Sequence, residues 1–166
     1  MNNTADYAQC IIKVVKKSKN KYGPKAQVGD VLCITRSFVN SWGTHKLNCI
    51  DQNGKEFMVT IKSIKFLDEN DSECINFNVN AALKSWVEST HIPVIFKPIA
   101  MSRNKQSVKC DVINSKNFND QWMSLKFVRN SDGGEFDKVI LKKFQSAYIP
   151  TWFAKKIGLI SKDKDN

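Results

Sequence analysis

Arginine is scarce in this 166-residue chain: Arg36, Arg103 and Arg129 stand against 23 lysines. Arginine supplies the planar fork that grips base edges, carboxylates and phosphates at two points, so recognition built on many such forks is excluded. Glycine (7) and proline (4) are too few for a collagen-like or low-complexity chain. The apolar run Ile92–Ile99 is interrupted by Pro93, Lys97 and Pro98, and no run approaches the ~20 residues that cross a bilayer. Met1–Gln9 has neither the basic start nor the apolar centre of a secretory signal, so none is expected. The five cysteines (Cys10, Cys33, Cys49, Cys74, Cys110) are odd in number and form no C-x-x-C pair, and His45 and His91 lie far apart. A zinc site or disulfide framework is therefore not expected, and no metal or other cofactor is assigned.

What the chain does have is a normal globular composition, 42% apolar and 25% charged, and a large positive excess: 26 basic against 16 acidic side chains, net +10. A chain of this length buries roughly 70% of its unfolded surface, enough for a core without metals or disulfides. The charge excess points to a polyanionic partner. Lysine is a flexible point charge suited to phosphate oxygens, so backbone contact is favoured over base reading. Codon bias in an AT-rich genome enriches lysine and asparagine too, and is compatible with the same reading.

The pattern is mainly β. Strands are predicted over 10–15, 47–51 and 56–64, and 28–34 reads as a turn entering a buried strand, with a loop over 36–44 and a hairpin at Gln52-Asn53-Gly54-Lys55, where Asn-Gly tolerates positive φ. The acidic stretch Asp68–Glu73 precedes a short predicted strand at 74–77, then a helix over 81–88 capped by Asn80. Further strands are predicted over 93–100, 107–113, 121–129 and 136–144. A short helix opens at Pro150-Thr151 and is closed by Gly158 at the C′ position. The turns Asn53–Phe57 and Asp132–Phe136 resemble each other, 79 positions apart. The expected organisation is a β module over 8–67, an acidic turn with a connecting helix over 68–90, and a second β module with a terminal helix over 91–160.

Catalytic patterns are weak. Asp68, Glu69, Asp71 and Glu73 lack the sixth-position glycine of a calcium loop, and Val79 stands where its twelfth-position glutamate belongs. His45 and Cys49, four apart on a strand, are separated by roughly 13 Å, too far for proton transfer. No Gly-rich phosphate loop or G-x-S-x-G elbow occurs. The expectation is a binding protein rather than an enzyme.

Three basic groups are the candidate contacts. The first is Lys13, Lys16, Lys17, Lys19, Lys21 and Lys25, with Tyr22 interleaved as a stacking ring; the second is Arg103, Lys105 and Lys109 on a hairpin tip; the third is Lys142, Lys143, Lys155 and Lys156 around the final helix. Arg36 and Trp42, from the 36–44 loop, join them. Trp42 reads either as the cover of a barrel end, the preferred role, or as a ligand contact.

Val28-Gly29-Asp30-Val31-Leu32-Cys33-Ile34, the loop ending at Gly43, Leu47–Asp51 and Asn53-Gly54-Lys55-Glu56-Phe57 together resemble a KOW-type SH3-like barrel over about 30 residues. The long 36–44 loop and the paucity of glycine beside Gly43 depart from that pattern. The resemblance implies nucleic-acid or RNA-polymerase-associated binding. Size, charge and Lys/Asn richness are similar to those of small early DNA-binding proteins of T4-type phages. The expected fold is mainly β, with one or two small SH3-like or OB-like barrels and two short helices. The expected function is cytoplasmic, largely sequence-independent binding of DNA, duplex foremost, through lysine–phosphate contacts that modulate transcription or compact the genome. Two alternatives stand beside it: an inhibitor or adaptor docking on a host protein such as RNA polymerase, and an OB-like single-strand binder. No membrane partner is expected.

Overall fold

The computed structural model describes residues 7–17, 19 and 23–160. The chain is mainly β and divides into two compact units, 1–86 and 87–166.

In the first unit, β1 (Ile11–Val14), β2 (Val31–Val39), β3 (His45–Ile50), β4 (Glu56–Thr60) and β5 (Ile64–Phe66) form one antiparallel sheet in the order β4-β3-β2-β1-β5. Period-two alternation puts Ile12, Val14, Leu32, Ile34, Leu47, Cys49 and Val59 into one core. Cys33 and Ile50, a cross-strand pair, are also buried, so these strands are covered on both faces. The Asn53-Gly54 hairpin forms as expected, with Cys49 opposite Phe57 and Ile50 opposite Glu56. Only Gly54 takes positive φ (+80°), and the Asp51 carboxylate accepts the Asn53 and Lys55 amides to hold the turn. Helix α2 (Val79–Thr90) approaches this turn through Trp86, whose indole N–H donates to Glu56 at 2.6 Å.

The second unit contains β6 (His91–Met101), β7 (Ser107–Val112), β8 (Gln121–Ser124) and β9 (Gln145–Pro150), antiparallel in the order β8-β7-β6-β9. Its inner face carries Val94, Phe96, Val108, Cys110, Val112, Met123, Ala147 and Ile149, covered by Phe153 and Ala154 of α3 (Thr151–Lys156) and by Ile157, which follows it. Gly158 closes α3 as expected. It has φ +73° and donates to the Lys155 carbonyl, while Leu159 donates to that of Ala154, the paired bonds of a Schellman cap.

The two units share a strand plan. Bulges at Ile34/Arg36 and Pro98/Ala100 and 3-10 turns at Ile61–Ser63 and Leu125–Phe127 fall 64 positions apart. β9 lies beside β6 as β1 lies beside β2, and Arg129 bridges Tyr148 of β9 as β5 pairs with β1. The second unit therefore takes its β1 equivalent from the C-terminal side. The turns at 51–55 and 130–134 do share one hydrogen-bond pattern. They occupy different places in that plan: the first joins β3 to β4, whereas the second follows the residues that match β5.

Several predicted boundaries move. The first four residues of the expected 36–44 loop are strand, because β2 runs through its bulge to Val39, and Asn40–Thr44 form the turn. The 56–64 and 121–129 runs break at the two 3-10 turns. The predicted strand at 74–77 is instead entered by helix α1 (Ser72–Ile75), because the Asp71 side chain caps the Glu73 amide. α2 is capped by Asn78, which accepts from Ala81, rather than by Asn80. There are accordingly three helices among the described residues, against two expected. The 136–144 run is a loop: Gln145 donates to the Lys138 carbonyl and accepts from Ile140, while Phe136 and Val139 pack on the core.

Burial raises the thiols of Cys33 and Cys110 to about 12, and that of Cys49 higher still. Cys10 and Cys74 are only half-buried. Native alkylation is therefore expected to label Cys10 and Cys74 while Cys33, Cys49 and Cys110 react only after denaturation. Peptide mapping of pulse-labelled protein checks this; early label on Cys49 would contradict it.

Candidate nucleic-acid interface

The lysines of the first group flank β1. Lys16, Lys17, Lys19 and Lys25 are exposed, whereas Lys21 and Tyr22 lie outside the described residues. Lys13 sits on β1 and donates to Glu73 at 2.6 Å, so the acidic stretch neutralises the first member of the group. Both side chains are more than a third exposed, and such a pair adds little to stability.

Trp42 tips the β2–β3 hairpin and is 88% exposed. It covers no barrel end, contrary to the preferred sequence reading: the Asn40 side chain accepts the Trp42 and Thr44 amides and presents the indole outward. The lysines before β2 and the tryptophan after it are separated by the whole nine-residue strand, roughly 26 Å at 3.3 Å per residue. They do not form one site. Arg36 lies between, its guanidinium 5.3 Å from the Phe38 ring centroid.

The second unit does gather its cations. Arg103 and Lys105 occupy the β6–β7 hairpin tip, and Lys109 follows on β7, paired with Asp120 at 3.1 Å. The Lys142 amide donates to the Pro98 carbonyl, which fixes Lys142 and Lys143 beside β6. Lys97 stands between inward-facing Phe96 and Pro98, so its side chain leaves the outer face, where its ammonium lies 5.5 Å from the Phe144 ring centroid. The second predicted group and half of the third therefore lie along the β6–β7 hairpin, with Lys97 and Lys109 on its outer face. Lys155 and Lys156 belong elsewhere. They sit on α3, which covers the opposite, inner face, so the expected grouping of Lys142, Lys143, Lys155 and Lys156 divides.

Three members of this face were not among the predicted contacts: Lys97, Trp122 and Phe144. Alternation was the available signal for two of them. Lys97 interrupts an apolar run at an outward position, and Trp122 precedes the inward Met123. Phe144 carries no such signal, because it lies in a loop.

His91 at the start of β6 is buried and hydrogen-bonded to Thr90; burial, aided by the Arg129 charge, lowers it to about 4 and keeps it neutral at pH 7. Among the described residues no group of three or more His, Cys, Asp or Glu side chains converges as for a metal ion, and no helix is long and apolar enough to cross a membrane. Comparison with protein-family models, curated proteins and solved structures returns no match.

Proposed function

We propose that this protein is a non-enzymatic nucleic-acid-binding protein that grips the phosphate backbone of DNA with lysines and discriminates little between sequences. The observation that carries the reading is the gathering of Lys97, Arg103, Lys105, Lys109, Lys142 and Lys143 on the strands and loops of one sheet, from separate parts of the chain. Two acids share that sheet: Asp120 pairs with Lys109 as Glu73 does with Lys13, and Asp111, which accepts the Asp120 amide, stands opposite Lys97. This leaves Arg103, Lys105, Lys142 and Lys143 as the cations that neither acid faces. The net charge of +10 supplies the long-range attraction. Exposed Lys16, Lys17, Lys19 and Lys25 offer a second set of phosphate contacts. The shared strand plan and the KOW-type resemblance of residues 28–57 agree with this class of partner, and five free cysteines suit a reducing cytosol.

The test is competition between unrelated duplexes. Affinities are expected to agree within about tenfold, or ~1.4 kcal/mol. A thousandfold preference for one sequence would replace this reading with direct base readout.

One observation favours a second reading, docking on a host protein such as RNA polymerase. Trp42 is a nearly fully exposed aromatic on a fixed hairpin tip, the type of side chain that anchors protein interfaces. In that case Trp42→Ala removes a stoichiometric protein complex and leaves DNA binding unchanged.

A further inference from the structure

The outer face of the second sheet carries more than charge. Trp122 is 52% exposed and Phe144 62%, with Ile95 and Ile113 exposed on the same side. Each ring stands beside a lysine: Trp122 is the cross-strand partner of Lys109, and the Lys97 ammonium lies over Phe144. Trp122 is on β8 and Phe144 immediately precedes β9, the two outermost strands in the order β8-β7-β6-β9. Three interstrand steps, roughly 14 Å across the sheet, separate them, with an offset of three residues along β6. Two bases of one extended strand can therefore each meet a ring.

From this arrangement we infer that the outer face of β6–β9 is a stacking platform for a single-stranded polynucleotide, its bases on Trp122 and Phe144 and its phosphates on Lys97, Lys109 and the Lys142–Lys143 loop. The inference rests on the nucleic-acid reading above and narrows it. Rings alone on an open sheet suit many partners. Lysines alternating with rings match the alternation of phosphate and base along one strand, whereas a duplex hides its base faces inside the stack. The cations at the Arg103–Lys105 tip lie on the same hairpin as Lys97 and Lys109 and extend the phosphate path.

The experiment measures fluorescence anisotropy of labelled oligothymidylate, and of a duplex of equal length, with the full-length protein at one fixed salt concentration. Trp122→Ala and Phe144→Ala are each expected to weaken oligothymidylate binding about tenfold, with duplex binding within about twofold of the parent protein. Trp122→Phe, which keeps a ring, is expected to recover most of the loss and so separates stacking from misfolding. Unchanged oligothymidylate binding in both alanine variants overturns the inference, as does an equal loss on the duplex. A parent protein that binds duplex and not oligothymidylate also overturns it, yet leaves the backbone-binding proposal standing. Binding to neither would overturn both.

Discussion

Gly54→Ala is expected to destabilise the first unit by about 2–4 kcal/mol, through two separable effects. Alanine at φ +80° costs about 1–2 kcal/mol, because its Cβ crowds its own carbonyl in the left-handed region. In addition, a Cβ here would lie 2.4 Å from the Trp86 backbone nitrogen and 2.8 Å from Ser85 C and Trp86 Cα. Those are helix backbone atoms, which yield only if α2 moves off the β3–β4 turn. Gly43 is the internal control. It has φ +72° at the β2–β3 tip, with nothing within 4 Å of a built Cβ, so Gly43→Ala carries the conformational cost alone. Urea unfolding of both variants by circular dichroism should give a clearly larger loss at Gly54. Equal losses would mean that α2 does not press on the turn.

This pair of glycines shows how far local pattern reaches. Asn53-Gly54 between apolar runs identifies the hairpin, and Gly158 identifies the end of α3, because both signals depend on backbone angles a few residues can dictate. Alternation likewise locates the inner-face residues of β1, β3 and β7. It fails at Thr35 and Ile99, where bulges insert one residue and shift the parity, so β2 continues where a loop is expected. A four-residue helix such as α1 is too short for periodicity and follows from a single Asp71 cap. The run 136–144 is apolar enough for a strand, but the Lys138 carbonyl and the Ile140 amide bond the Gln145 side chain instead of a neighbouring strand. The candidate interface was legible only in parts. Lys105 and Lys109 are near in sequence, whereas Lys142 joins Lys97 through a contact with Pro98 that no spacing rule contains.

The second large effect concerns that gathered set. Each lysine–phosphate contact releases counterions and contributes about 0.9 to the slope of log affinity against log salt, so losing several contacts costs orders of magnitude at moderate salt. A variant carrying Arg103→Ala, Lys105→Asn, Lys142→Asn and Lys143→Ala removes four exposed cations from the second unit. Asparagine is chosen at Lys105 and Lys142 because both have positive φ, +56° and +65°, which asparagine tolerates. The most direct test of backbone binding is the salt dependence of duplex affinity for the parent protein and this variant, measured on two unrelated sequences. The account predicts a steep parental slope, a slope flatter by about 2–4 units in the variant, and the same change on both sequences. A parental affinity that does not change with salt, or an unchanged slope in a variant that is folded by circular dichroism, would contradict it.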